Sequence, residues 1–213
     1  MGQINNANRI VSVLDRHLTT ETEIIVFGSS AILLDPMFSI HLRARQTNDV
    51  DIIIPAQLEL AIETNEEFWN AIEATNNEME PDGLYISHIF PEQEIILTPE
   101  WQNHLHRLPL EGLQRLRILR PRILDLVLSK MGRGDAMDLE DVRQIVSLEH
   151  RVTGKMVTSA ELDAAAARAT VPQAYRELFP KARKDIVQAV KMIEQSISYR
   201  PHPEQDKGYR IGI

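Results

Sequence analysis

The sequence predicts an α+β protein, a small mixed sheet flanked by helices with a helical C-terminal region. Three observations carry this expectation: short β-branched apolar runs bounded by turn residues gather in the first 120 of 213 residues, helix-period apolar spacing fills the remainder, and no internal repeat is visible. The expected division is an α+β core over 1–120, a helical region over 121–200 and an irregular tail over 201–213 following Arg200-Pro201-His202-Pro203.

Taken in order, Asn5 to Leu18 place Ile10, Val13, Leu14 and Leu18 at helical spacing and predict a first amphipathic helix. Ile24 to Phe27 is a short apolar strand that meets Gly28-Ser29-Ser30, where the pattern turns helical through Ala31, Leu33 and Leu34. Asp49 to Ile54 alternates and then runs apolar, as a strand buried mostly on both faces does, and Pro55 ends it. A helix is expected over Gln57 to Asn76, a third strand over Leu84 to Phe90 after Pro81-Asp82-Gly83, and a fourth over Glu94 to Leu97. Leu113 to Leu119 intersperses Leu and Ile with Arg115 and Arg117, predicting a strand with one basic face. Helices are expected over Ile123 to Met131, Leu139 to Leu148, after the Thr158-Ser159-Ala160-Glu161 capping pattern, and over Lys181 to Ser198.

Composition bounds the chemistry. At 43% hydrophobic and 25% charged residues the chain has the make-up of a globular domain, and with no cysteine it has no disulfide, thiolate metal site or cysteine nucleophile. No apolar run approaches the ~20 residues that span a bilayer. The Met1-Gly2-Gln3-Ile4 start lacks the features of an export signal, so a cytoplasmic protein without membrane partners is expected. The net charge of −8 is uneven: residues 1–100 hold 17 acids against 4 arginines, residues 101–213 hold 14 acids against 19 bases. An acidic metal-binding half beside a basic half that attracts anions is one explanation, and ordinary solvated faces are the other.

The informative segment joins Gly28-Ser29, at the end of one strand, to Arg45-Gln46-Thr47-Asn48-Asp49-Val50-Asp51, which leads into the next. Residues i and i+2 of a strand share a face, so Asp49 and Asp51 project together while Val50 turns away. Two adjacent carboxylates repel unless a cation or proton sits between them, and Mg²⁺ is suited to one or two carboxylates plus substrate phosphates. A glycine bend leading into a helix lets phosphate oxygens approach backbone N–H groups. Arg45 could hold the carboxylates or a phosphate, and Thr47 could shape the turn through backbone hydrogen bonds.

These residues resemble the signature of the nucleotidyltransferase superfamily, the DNA polymerase β-like fold, and within it an uncharacterised bacterial branch similar to abortive-infection toxin nucleotidyltransferases. Leu97-Thr98-Pro99-Glu100-Trp101 and the stretch from Asp125 through Lys130 and Arg133 to Asp138-Leu139-Glu140-Asp141 resemble later elements of that branch, so the likeness covers roughly residues 20 to 148. The resemblance implies a Mg²⁺- or Mn²⁺-dependent transfer of NMP from an NTP to an RNA, protein or small-molecule acceptor. Asp49 and Asp51 would be the metal ligands and, with Lys130, the catalytic group, while Gly28, Ser29, Arg45, Thr47 and Asp138 would bind the nucleotide. Lys130 could instead snorkel at a helix end, and Asp138 could cap the helix that follows it.

Active members of the superfamily use a third carboxylate, for which Glu92 and Glu94 are the nearest acids by position, while His88 stands at a plausible place on the third strand. The alternative function is therefore a catalytically silent member that binds a nucleotide or partner as a regulator. A toxin modifying tRNA or a protein, held by an antitoxin, is a further expectation, with the basic helical half as its recognition surface; Arg115, Arg117, Arg120 and Arg122 form the densest basic patch, which could guide RNA or an NTP tail. The 19 residues between Ser29 and Asp49 imply an extra loop around Pro36 to His41, a lid or an insertion.

Overall fold

Alternating apolar residues build a sheet with two dissimilar faces. The computed structural model describes residues 5–42 and 47–198, and five strands form one sheet: β1 (Thr22–Phe27), β2 (Asp49–Ile54), β3 (Tyr85–Pro91), β4 (His106–Arg107) and β5 (Leu116–Arg120). Their order is β3-β2-β1-β5-β4, with β1 antiparallel to β2 and parallel to β5, β2 parallel to β3, and β4 antiparallel to β5. The predicted mixed sheet is thus observed.

On one face Ile24, Val26, Val50, Ile52, Ile86, Leu116 and Ile118 join the main core. That core is closed by α1 (Asn6–His17), α2 (Gly28–Leu34) and α5 (Glu66–Met79). The alternate residues, Ile25 and Ile53, lie on the other face in a smaller cluster with Ile95, Leu97 and Trp101. This second face is only partly covered, and Asp49 and Asp51, four and two residues before Ile53, occupy its uncovered end.

Beyond β5 the chain is helical: α6 (Ile123–Ser129), α7 (Ala136–Thr153), α8 (Ser159–Arg168) and α9 (Phe179–Ser198). Leu126, Val146, Leu162 and Ile186 bury in the same main core as the strands. The predicted capping box forms, with the Thr158 hydroxyl accepting from the Glu161 amide and the Glu161 carboxylate accepting from the Thr158 amide. Gly134 sits between α6 and α7 with φ +60°, and a Cβ there would lie 2.4 Å from the Ala182 Cβ, so glycine is what lets α9 pack on this loop. Among the described residues no helix is long and apolar enough to cross a membrane.

Four sequence expectations are corrected. The Glu94–Leu97 run is not a strand: Glu92–Glu94 forms a 3₁₀ turn, and Ile95 and Leu97 lie buried over the second sheet face while Ile96 joins the main core, instead of the run pairing at the sheet's edge. The helix expected over Gln57 to Asn76 is broken into α4 (Glu59–Glu63) and α5, because the Asn65 side chain accepts from the Phe68 amide at 3.0 Å and starts a new helix. The four arginines do not form one exposed face. Arg117 is exposed, but Arg120 is buried, donating to Asp35 at 2.7 and 2.8 Å over the Phe38 ring, and Arg122 donates to Asp125 at 2.8 Å. Finally, Pro36 to His41 is no free lid, since Pro36–Ser39 forms the short helix α3 whose Phe38 is buried. The 201–213 tail lies outside the described residues.

Candidate active site

A cleft of about 440 Å³ opens where the uncovered end of the sheet meets the C-terminal helices. Gly28, Ser29, Thr47, Asp49, Asp51, Lys130 and Asp138, which lie far apart in sequence, all line it. Arg45 lies outside the described residues.

The sheet supplies the acids. β2 pairs with β1 so that Asp51 stands opposite Phe27, the last residue before the glycine bend. Gly28 has φ +65°, and a Cβ on it would lie 3.1 Å from Asp51 Oδ2. Both the left-handed backbone and the close approach of the carboxylate therefore call for glycine at this position. Thr47 departs from the expected turn role: its hydroxyl donates to Asp49 Oδ1 at 2.8 Å, restraining that carboxylate directly.

β3 completes the acidic wall through an irregularity. The β2–β3 register runs Val50 opposite Ile86 and then Asp51 opposite His88, so Ser87 is an extra residue on β3. Such a bulge re-aims side chains. Here Ser87 Oγ lies 3.2 Å from Asp49 Oδ2 and 3.0 Å from Asp51 Oδ1, and His88 Nδ1 is 2.8 Å from Ser87 Oγ and 3.5 Å from Asp51 Oδ1. His88 stacks on Phe90 with ring centroids 5.0 Å apart.

Among the described residues neither Asp49 nor Asp51 is paired with a lysine or arginine. Burial, with the Asp49 charge added to it, pushes the Asp51 carboxyl above the usual carboxylate range. This is a pair of hard oxygen donors with a deficit of positive charge, which fits a small divalent cation. Among the described residues no group of three or more His, Asp or Glu side chains converges as a complete cage. Of the two acids favoured by position for a third carboxylate, Glu94 lines the cleft, whereas Glu92 accepts a hydrogen bond from Gln102 at 2.7 Å.

The opposite wall is charge-balanced. Lys130 Nζ donates to Asp141 Oδ2 at 2.7 Å and lies 3.3 Å from Asp138 Oδ1, and Arg133 adds bonds of 3.1 and 3.3 Å to Asp138. Lys130 thus faces the cleft rather than snorkelling at a helix end. Asp138 is buried and is not the helix cap: α7 begins three residues earlier than Leu139, and Asp135 accepts from the Asp138 amide at 2.9 Å. Ser29 Oγ reaches across to Asp141 Oδ2 at 3.4 Å.

Ser87 and Asp141 are members of this constellation that sequence reasoning did not single out. Asp141 was detectable in principle, as it lies one helical turn beyond Asp138 on the same face. Ser87 was not, since regular alternation gives no sign of a bulge.

A family model described as a nucleotidyltransferase of unknown function (DUF6036) matches residues 5–191. No curated protein and no solved structure matches the chain.

Proposed function

The chain belongs to this family of nucleotidyltransferases of unknown function, and from that premise we propose that it transfers a nucleoside monophosphate from an NTP to an acceptor nucleophile in the cleft between the sheet and α7. The observation that carries this reading is the pair Asp49 and Asp51, matched by no lysine or arginine among the described residues, with Asp51 Oδ2 3.1 Å from where a Cβ on Gly28 would lie. Asp49 and Asp51 would hold Mg²⁺ or Mn²⁺, which when bound neutralises triphosphate charge and polarises the reacting groups.

The chain's own residues orient the substrate. The bend at Gly28, bare of a side chain, lets phosphate oxygens approach the Gly28 and Ser29 amides, with the Ser29 hydroxyl beside them. Lys130 donates to Asp141 and lies 3.3 Å from Asp138, which holds its ammonium at the cleft where a phosphate oxygen can approach it. A residue held in this way keeps a fixed position for a point charge, which favours charge developing on a leaving pyrophosphate. In the reaction the acceptor oxygen bonds to the α-phosphorus as the bond from that phosphorus to the β-bridging oxygen breaks. Pyrophosphate departs and the acceptor's proton passes to solvent.

The test is transfer of α-³²P-labelled nucleotide by the purified chain, with Mg²⁺ or Mn²⁺, onto total RNA, protein and small-molecule fractions. Transfer by the parent and none by Asp51→Asn supports the reading; equal transfer by both overturns it. Growth arrest on expression, relieved by Asp51→Asn, would favour a toxin acting on tRNA or a protein acceptor, with an antitoxin as its natural partner.

A second reading, a silent member that binds a nucleotide as a regulator, is favoured by one observation: among the described residues no third carboxylate joins Asp49 and Asp51. Calorimetry showing NTP binding without pyrophosphate release would favour it over transfer.

A further inference from the structure

We propose that the Ser87 hydroxyl, at the β3 bulge, is the third protein oxygen of the divalent-cation site, where among the described residues no third carboxylate joins Asp49 and Asp51. The inference rests on the reading of Asp49 and Asp51 as cation ligands and adds a ligand to it.

The first support is geometric. Mg²⁺ holds oxygen ligands at about 2.0 to 2.1 Å in near-octahedral arrangement, so ligands at right angles lie roughly 2.9 Å from one another. Ser87 Oγ lies 3.0 Å from Asp51 Oδ1 and 3.2 Å from Asp49 Oδ2, close to the edge length of such a shell.

The second support is what the bulge sets beside Ser87. In an unbroken ladder the residue after Ile86 would stand opposite Asp51, and the next would point to the far face. The bulge instead gives Asp51 two neighbours, Ser87 and His88, both on the acidic side. Parallel pairs rarely carry bulges, and those that occur serve to re-aim side chains next to sites.

The third support is the hydroxyl's own hydrogen. With no ion present it satisfies the carboxylates; with a cation accepting an Oγ lone pair, the hydrogen must turn away from them. His88 Nδ1, 2.8 Å from Oγ, is an acceptor in the right place when the ring carries its hydrogen on Nε2. Its ring is held by stacking on Phe90.

The experiment titrates Mn²⁺, Mg²⁺ and Cd²⁺ into the parent, S87A, S87C and D51N chains, following amide resonances by NMR, with a circular dichroism melt of each apo chain as the folding control. The chain has no native cysteine, so S87C introduces its sole thiol. S87A is expected to weaken Mn²⁺ and Mg²⁺ binding about tenfold, a loss of roughly 1.4 kcal/mol. S87C is expected to shift the Cd²⁺-to-Mg²⁺ preference at least tenfold toward Cd²⁺, because thiolate selects the softer ion. Parental affinity in S87A, or an unchanged metal ranking in S87C, overturns the Ser87 assignment alone if D51N has lost binding. Equal or absent binding in both parent and D51N overturns the acid-pair reading and this inference with it. Should S87A melt as unfolded, the S87C ranking decides.

Discussion

The uncovered end of the sheet and the seams between sheet and helices treat aspartate in opposite ways. At the seams each buried acid is matched. Asp15 on α1 accepts from the Gln114, Arg115 and Leu116 amides at 2.7 to 3.0 Å, Asp35 pairs with Arg120, and Asp125 accepts from the Thr98 amide, the Thr98 hydroxyl and Arg122. At the sheet's end Asp49 and Asp51 have two hydroxyls and an imidazole, but among the described residues no lysine or arginine. Where a carboxylate serves the fold, the chain brings enough donors to compensate it. At the open end, among the described residues, that compensation is incomplete, and under the proposed function a divalent cation would supply it.

That contrast breaks most sharply on neutralising the acids of the open end. Asp49→Asn or Asp51→Asn is expected to lower nucleotide transfer by about 10³-fold or more, since metal stabilisation is worth several kcal/mol and each 1.36 kcal/mol is tenfold. The fold should persist, as judged by an unchanged circular dichroism spectrum. Unfolding of either variant would place these acids with the structural ones.

The reverse holds at the seam. Arg120→Met leaves Asp35 buried without its cation and is expected to destabilise the chain by about 3 to 5 kcal/mol, read as a lower urea midpoint. Transfer per folded molecule should be unaffected, because neither residue lines the cleft. A smaller effect is expected for Gly28→Ala, which stands between the two regimes. Placing an L-residue at φ +65° costs about 1 to 2 kcal/mol, and the methyl at 3.1 Å displaces the Asp51 carboxylate. Mn²⁺ affinity should fall along with stability, whereas Arg120→Met lowers stability alone.

The same distinction decides what could be read from the sequence. Gly28-Ser29, Asp49 and Asp51 were legible because a turn and a period-two strand are local patterns, and Lys130 and Asp138 were placed by resemblance. The structure gathers all of these around one cleft. Arg120 was misread as part of a surface patch because alternation reveals which face a residue takes, not whether an acid waits there 85 residues away. Ile95 to Leu97 were misread as a strand because an apolar run that lies over a sheet looks the same as one that pairs within it. Ser87 was missed because a one-residue bulge leaves no trace in composition or period.

The gentlest test of the comparison uses pH on the apo protein. Burial and the neighbouring Asp49 charge raise the Asp51 carboxyl above its ordinary value. Its ionised form is therefore disfavoured in the folded state, and the stability it provides when protonated is lost as pH rises from the ordinary aspartate range through the raised value. Asp15 has the opposite sign. Three backbone hydrogen bonds outweigh its burial and hold its carboxyl below the usual range. The stability it gives is present above the ordinary value and lost as pH falls through the lowered one. At pH 7, then, Asp51→Asn is expected to raise the melting temperature by a few degrees and Asp15→Asn to lower it by at least as much. Both differences from the parent should shrink as the buffer is acidified through and below the ordinary aspartate range. Melting curves of the three proteins across that range would show Asp51 to be compensated after all if its variant tracked that of Asp15.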